Sequence, residues 1–158
     1  MMRIYLTIQF LGMCLLSSCN SGDTSGTKTN DFRQFVREGN LAEVKRAVKK
    51  GYDVNTLNRH GGNALHESIV DYGVMEYLIS EGIDVNNQFL KAQDGKTALH
   101  LACIASNASV EVVKLLLDNG ANPTIKDANG KTALYYAELE GNKDKIDVLE
   151  QSIGLRPP

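Results

Sequence analysis

Asp94-Gly95-Lys96-Thr97-Ala98-Leu99-His100-Leu101-Ala102 is the stretch that decides the architecture, because the chain repeats it. Asn129-Gly130-Lys131-Thr132-Ala133-Leu134-Tyr135-Tyr136-Ala137 is a second copy, and Gly61-Gly62-Asn63-Ala64-Leu65-His66 is a degraded one. Their leucines, Leu65, Leu99 and Leu134, lie 34 and 35 residues apart. A period of this size means stacked helix-turn-helix units and not a globular enzyme fold. The expected class is all-α, and proteins built this way bind more often than they catalyse.

The bulk composition agrees. A chain of 158 residues is one domain's worth, and 42% hydrophobic residues suffice for a core. Aromatics are only 6% and Trp is absent, which suits thin layers of small side chains. A net charge of −2 gives no electrostatic reason to expect nucleic-acid binding.

The first residues belong to another class of sequence. Met1-Met2-Arg3 is a short positive start, Ile4 to Leu16 is uncharged and apolar, and Ser17-Ser18-Cys19 closes it. This reads as a secretory signal over residues 1–18, too short for a membrane span. Leu16-Ser17-Ser18-Cys19 resembles a bacterial lipobox, which implies cleavage before Cys19 and lipidation of its thiol. Two or three acyl chains anchor stably where one is marginal. Asn20, and not Asp, follows the cysteine, which by resemblance to Gram-negative lipoproteins points to the outer membrane, facing the periplasm. Translation from Met13 would instead leave a cytosolic form. Cys14 departs with the signal and Cys19 carries lipid, so Cys103 is the one remaining thiol and reads as a small buried core residue.

After Cys19, residues 20–30 hold Ser, Gly, Thr and Asn with one Asp and one Lys and no aliphatic or aromatic residue, and 19–30 read as a lipidated flexible tether. The repeats fill residues 31–158, at about 31–58, 59–91, 92–126 and 127–158. The first opens with Asp31 as N-cap; Phe32, Phe35 and Val36 form an apolar face, and Arg33, Gln34, Arg37 and Glu38 cover the outer one. Leu41 to Val48 makes its second helix, stopped at Gly51. The later repeats pair Ala64–Val70 with Val74–Ser80, Ala98–Ala105 with Val110–Asp118, and Ala133–Leu139 with Lys143–Gln151. Lys143, Asp144 and Lys145 help make the last repeat polar enough to serve as a cap.

Thr97-Ala98-Leu99-His100-Leu101-Ala102, Val112-Val113-Lys114-Leu115-Leu116-Leu117, Gly51-Tyr52-Asp53-Val54-Asn55 and Gly82-Ile83-Asp84-Val85-Asn86 together resemble the ankyrin repeat, over Asp31 to about Gly154. The resemblance implies a solenoid of about four repeats, each two antiparallel helices followed by a projecting β-hairpin loop. It implies that His66 and His100 bond around their helix starts and tie neighbouring repeats. Tyr135 stands at the equivalent place in the fourth repeat, where that tie is not expected.

Departures from the period carry the remaining information. Leu65 to Gly82 is short and Leu99 to Gly120 long, which reads as a shortened inter-helix turn in repeat two and a lengthened one, Ser106-Asn107-Ala108-Ser109, in repeat three. Asn86 to Gly95 takes nine steps where Asn55 to Gly61 and Thr124 to Gly130 take six, so three extra residues fall within Asn87–Gln93. Insertions in solenoids map to loops, often on the binding face.

No G-x-S-x-G, H-E-x-x-H, P-loop or paired-cysteine motif occurs, so the chain reads as no enzyme, with no catalytic residue, metal or cofactor. Asp23-Thr24-Ser25-Gly26 resembles an acid-protease motif but lies in the tether, which cannot hold a carboxylate in place.

Carried over from the family by position, the partner-binding surface takes in Arg59, Val70, Asp71, Gln93, Lys96, Ile104 and Leu139. Val70, Ile104 and Leu139 occupy equivalent positions and form either an exposed apolar stripe or side chains tucked under the hairpins. Phe89, Leu90 and Lys91 lie in the enlarged hairpin; Phe89 is either an interface anchor or folded back on Val85 or the next repeat. The function expected is a lipid-anchored protein binder in a one-to-one complex or as a monomer. One version is an immunity protein that neutralises a secreted toxin such as a phospholipase; the other is an adaptor that recruits an envelope protein.

Overall fold

The computed structural model describes residues 24–90, 92 and 94–155, with backbone alone for 24–30. The chain divides into Met1–Asp31 and Phe32–Pro158, and the repeats belong to the second unit. The signal segment, Cys19 and the start of the tether lie outside the described residues. Helix α1 runs Thr24–Arg37, so Asp31 lies inside it and is not its N-cap, and residues 24–30 are helical where the sequence suggested a tether. Phe32 and Val36 are buried and fix the helix; extending it backwards adds a hydrogen bond per residue without a new nucleus, and no proline stops it.

The other helices are α2 (Leu41–Lys49), α3 (Tyr72–Ser80), α4 (Ala98–Ile104), α5 (Val110–Asp118), α6 (Ala133–Glu140) and α7 (Lys143–Ser152), with a 3-10 turn at Ala64–Glu67. They form an all-α solenoid of four helical pairs, and the 3-10 turn stands where repeat two should have its first helix. The residues missing from repeat two therefore come out of that helix and not out of the turn after it. Ser68 ends it early: its N–H and its hydroxyl both donate to the Leu65 carbonyl. Asp71 then starts α3, its carboxylate accepting from the Val74 N–H at 2.8 Å. The lengthened turn of repeat three is present between α4 and α5, with Ala108 buried in it.

One apolar core runs through the stack. Val44, Leu65, Val74, Met75, Leu78, Leu99, Ala102, Cys103, Val113, Leu116, Ala137 and Leu149 are all at most 1% exposed. Cys103 is thus the inert core residue expected, with burial pushing its thiol up to about 12.

Two charged residues counted as outer polar surface are buried instead. Arg33 is 7% exposed; it pairs with Glu67 and donates to the carbonyls of Thr56, at 2.7 Å, and Gly62, at 3.2 Å. Arg37 joins the same carboxylate at 2.8 Å, so this face of α1 is turned to repeat two. Lys145 is 1% exposed and reaches from α7 to the carbonyls of Ala102 and Ala105. Gln34 and Glu38 do face solvent and bond to each other.

The loops project as tight turns and not as stranded hairpins. Among the described residues the one bridge is antiparallel, Gln88 with Thr97. Each loop is closed by an equivalent backbone bond: Asn58 N–H to the Gly62 carbonyl, Phe89 to Lys96, and Asp127 to Lys131. Neighbouring repeats are clamped by asparagines. Asn55 donates to the Gly82 carbonyl at 3.1 Å and accepts from the Asp84 N–H at 2.8 Å. Asn86 does the same to Gly120 and Asn122, at 2.9 and 2.8 Å.

Candidate protein-binding surface

The histidines tie the repeats as the resemblance implied. His66 Nε2 donates to the Lys96 carbonyl at 3.2 Å and His100 Nε2 to the Lys131 carbonyl at 3.1 Å. Each holds the loop of the following repeat against its own helix start. Burial, the largest influence, pushes both imidazoles below the ordinary histidine range. Such a group is neutral in the folded stack and free to charge in the unfolded chain. Its contribution to stability is therefore complete above about pH 6.5 and falls as the pH drops below that value.

The two sites differ. His100 Nδ1 accepts from the Thr97 N–H at 3.2 Å and faces its hydroxyl at 2.8 Å, so a proton there removes a bond. His66 Nδ1 faces Asn63 Oδ1 at 3.0 Å, an acceptor, so a proton there gains one. The melting temperature is expected to fall from pH 6.5 to 5, above the carboxylate range, and His100→Gln flattens that fall more than His66→Gln. A profile that is flat in this window, or flattened equally by both, contradicts the assignment.

The extra residues of the enlarged loop can be placed. The Leu90 N–H donates to the His60 carbonyl at 2.8 Å, just as the Ala128 N–H donates to the Asp94 carbonyl at 2.8 Å. Leu90 lies four residues after Asn86, as Ala128 lies four after Thr124. The insertion is therefore 91–93, directly after Leu90. Lys91 and Gln93, named from the sequence as binding residues, lie outside the described residues.

Phe89 is a correction. It does not project from the loop: it is half-buried, with its ring 4.3 Å from that of His66 and laid over Gly62. It folds back within its own repeat, onto Gly62 and His66. In the other two loops this position is Asn58 or Asp127, whose side-chain oxygen accepts two N–H groups of its own turn. Phe89 gives up that turn and packs instead.

The remaining candidates separate clearly. Val70 is 56% exposed, Leu90 55% and Leu139 68%. Ile104 is half-buried at the end of α4, which packs against α6, so the expected stripe is broken in the middle. Asp71 is half-buried and occupied as the α3 cap. Lys96 is held by Asp94 at 2.8 Å and lies over the Tyr136 ring, 5.3 Å from its centroid. Arg59 is exposed and donates to His60 Nε2.

Four exposed large hydrophobic residues were missed, Leu57, Tyr72, Tyr135 and Leu155. Leu57, at 53%, was visible as an apolar residue in a polar loop. Tyr135, at 39%, takes the histidine position and shares a face of α6 with Leu139, one turn on. Lys131 lies over its ring, 4.1 Å from the centroid.

Residues 86–155 match the family model described as Ankyrin repeats (3 copies). Residues 86–155 carry ankyrin repeats. Among curated proteins it is similar to the mitochondrial disaggregase of Bos taurus, 30% identical over 91% of this chain and 26% of that protein. It is also similar to Ankyrin repeat and SOCS box protein 3 of Homo sapiens, 32% identical over 63% of this chain and 19% of that protein. A putative ankyrin repeat protein of Borreliella burgdorferi is 28% identical over 73% of this chain and 25% of that protein. The chain thus spans about a quarter or less of the length of these three relatives. Ankyrin repeats are protein-protein interaction modules, generally non-catalytic, and protein partners are what this scaffold serves.

Proposed function

We propose that this chain is a membrane-anchored ankyrin-repeat lipoprotein that binds and neutralises a secreted antibacterial toxin. The observation that carries the binding half is the exposure of Val70, Leu90 and Leu139 at positions where ankyrin repeats meet their partners. The lipobox-like Leu16-Ser17-Ser18-Cys19 supports the anchor, and an anchored binder stands at the surface that a phospholipase-type toxin attacks. Neutralisation proceeds by occlusion: a rigid stack covers the toxin's active site or its membrane-docking surface.

Labelled palmitate is expected on the parent chain and not on Cys19→Ser; an unlabelled parent defeats the anchor. A strain lacking the chain is expected to be killed by a toxin-bearing sister strain and rescued by the parent. The Val70→Glu/Leu139→Glu variant is expected to rescue at least tenfold less well, since two charges would be buried unpaired in the interface. Unchanged survival of the deletion strain defeats the immunity reading.

A further inference from the structure

The first repeat carries a charge opposite to the rest of the stack. Residues 31–60 hold seven basic and four acidic side chains, a formal +3, while residues 61–158 hold eight basic and fourteen acidic, a formal −6. The positive excess is concentrated on α2 and its C-cap, where Lys45, Arg46, Lys49 and the capping Lys50 are all exposed. Lys45 and Lys49 are spaced i, i+4, as are Arg46 and Lys50, so the four cations share one broad outer face. The opposite face is committed to the core through Val44, which is fully buried.

Like charges at that spacing oppose helix formation, and the helix dipole returns only part of that cost in the last turn. Little else in the stack offsets them. Arg46 pairs with Glu43 at 2.8 Å, and Lys45 lies 5.2 Å from the centroid of the Tyr77 ring. Lys49 and Lys50 make no ion pair among the described residues.

We propose that the outer face of α2 docks on an anionic lipid surface, through Lys45, Lys49 and Lys50. The composition of the face favours a headgroup layer over an acidic polypeptide. A protein interface needs an apolar centre. The exposed large hydrophobic residues, Leu57, Val70, Tyr72, Leu90, Tyr135, Leu139 and Leu155, all lie outside α2. A layer of anionic headgroups needs charge alone. The acidic remainder of the stack is repelled by the same surface, so the charge asymmetry turns the first repeat towards the lipid and keeps the later repeats clear for a partner. This rests on the anchored reading above for bringing the chain to a membrane. Each basic group near such a surface raises partitioning about fivefold, so three contribute about a hundredfold.

The test uses the full chain as Cys19→Ser, which cannot be acylated, with vesicles of phosphatidylcholine alone or with about one-third phosphatidylglycerol. The chain is expected to sediment with the anionic vesicles, less so as salt rises, and the Lys45→Gln/Lys49→Gln/Lys50→Gln variant about a hundredfold less. Equal sedimentation of the two chains, or equal sedimentation of the parent with both kinds of vesicle, overturns the proposal. Retention on immobilised polyglutamate without vesicle binding also overturns it and assigns the face to an acidic polypeptide. Should loss of the Lys45–Tyr77 contact lower the melting temperature, Lys49→Gln/Lys50→Gln alone is expected to lose about twenty-fivefold. Failure of palmitate labelling would defeat the anchored reading and leave this result standing, because the chain tested carries no lipid.

Discussion

Lys145→Ala is expected to lower the free energy of unfolding by about 3–5 kcal/mol, read from urea denaturation. A helix leaves its last carbonyls without partners inside itself. In repeat three the long turn after α4 comes back to the Ala105 carbonyl, through the Ala108 N–H at 3.2 Å, but not to that of Ala102. Lys145 reaches both from the following repeat, its ammonium donating at 2.8 Å to the carbonyls of Ala102 and Ala105. Burial pushes its pKa down, with Cys103 and Glu140 pulling the other way. An alanine leaves the buried Ala102 carbonyl unmet, costing about 1–3 kcal/mol, strips the Ala105 carbonyl of its charged donor and removes a long stem from a packed layer. Lys145→Met refills the stem without meeting the carbonyls and is expected to cost about half as much. A Lys145→Ala variant within about 1 kcal/mol of the parent would mean that water replaces the ammonium.

That lysine shows which parts of the molecule were legible in sequence. Helix α5 was expected at Val110–Asp118 and lies there, because its apolar spacing is local and unbroken. The ties of His66 and His100 were legible because the repeat carries them. Lys145 and Arg33 were not. Their partners lie 43 and 40 residues away for Lys145 and 34 away, at Glu67, for Arg33, and no local pattern marks a charge that folding buries. On the candidate surface, Val70 and Leu139 followed from the period alone. Ile104 shares their register but is half-buried at the end of α4, so position within the repeat alone did not decide exposure. The shortening of repeat two was counted correctly and placed wrongly, since Ser68 spends its hydroxyl on the Leu65 carbonyl and ends the helix there.

Gly62→Ala is expected to cost about 2 kcal/mol, and most of that loss should vanish when Phe89 is also replaced by alanine. Gly62 does not have positive φ, so an alanine there meets no backbone penalty. The penalty is steric: a Cβ on Gly62 would run into the Phe89 ring, with Cδ1 at 2.8 Å and Cζ at 3.2 Å. One repeat on, the equivalent pair is Lys96 with Asp127, whose charges lie 3.9 Å apart. Glycine and phenylalanine are therefore one paired departure from the repeat, not two. Phe89→Ala alone is expected to cost about 2 kcal/mol, from the apolar area lost against Gly62 and the contact with the His66 ring. In the double variant the two losses should fall short of additivity by at least about 1 kcal/mol, because the alanine at 62 then enters space that the ring has left. Strict additivity would mean that the ring already moves aside in the parent. A Phe89→Ala variant that melts with the parent would return this side chain to the partner surface. A lowered melting temperature leaves Leu90, held at 55% exposure by its bond to His60, as the apolar residue that the enlarged loop presents.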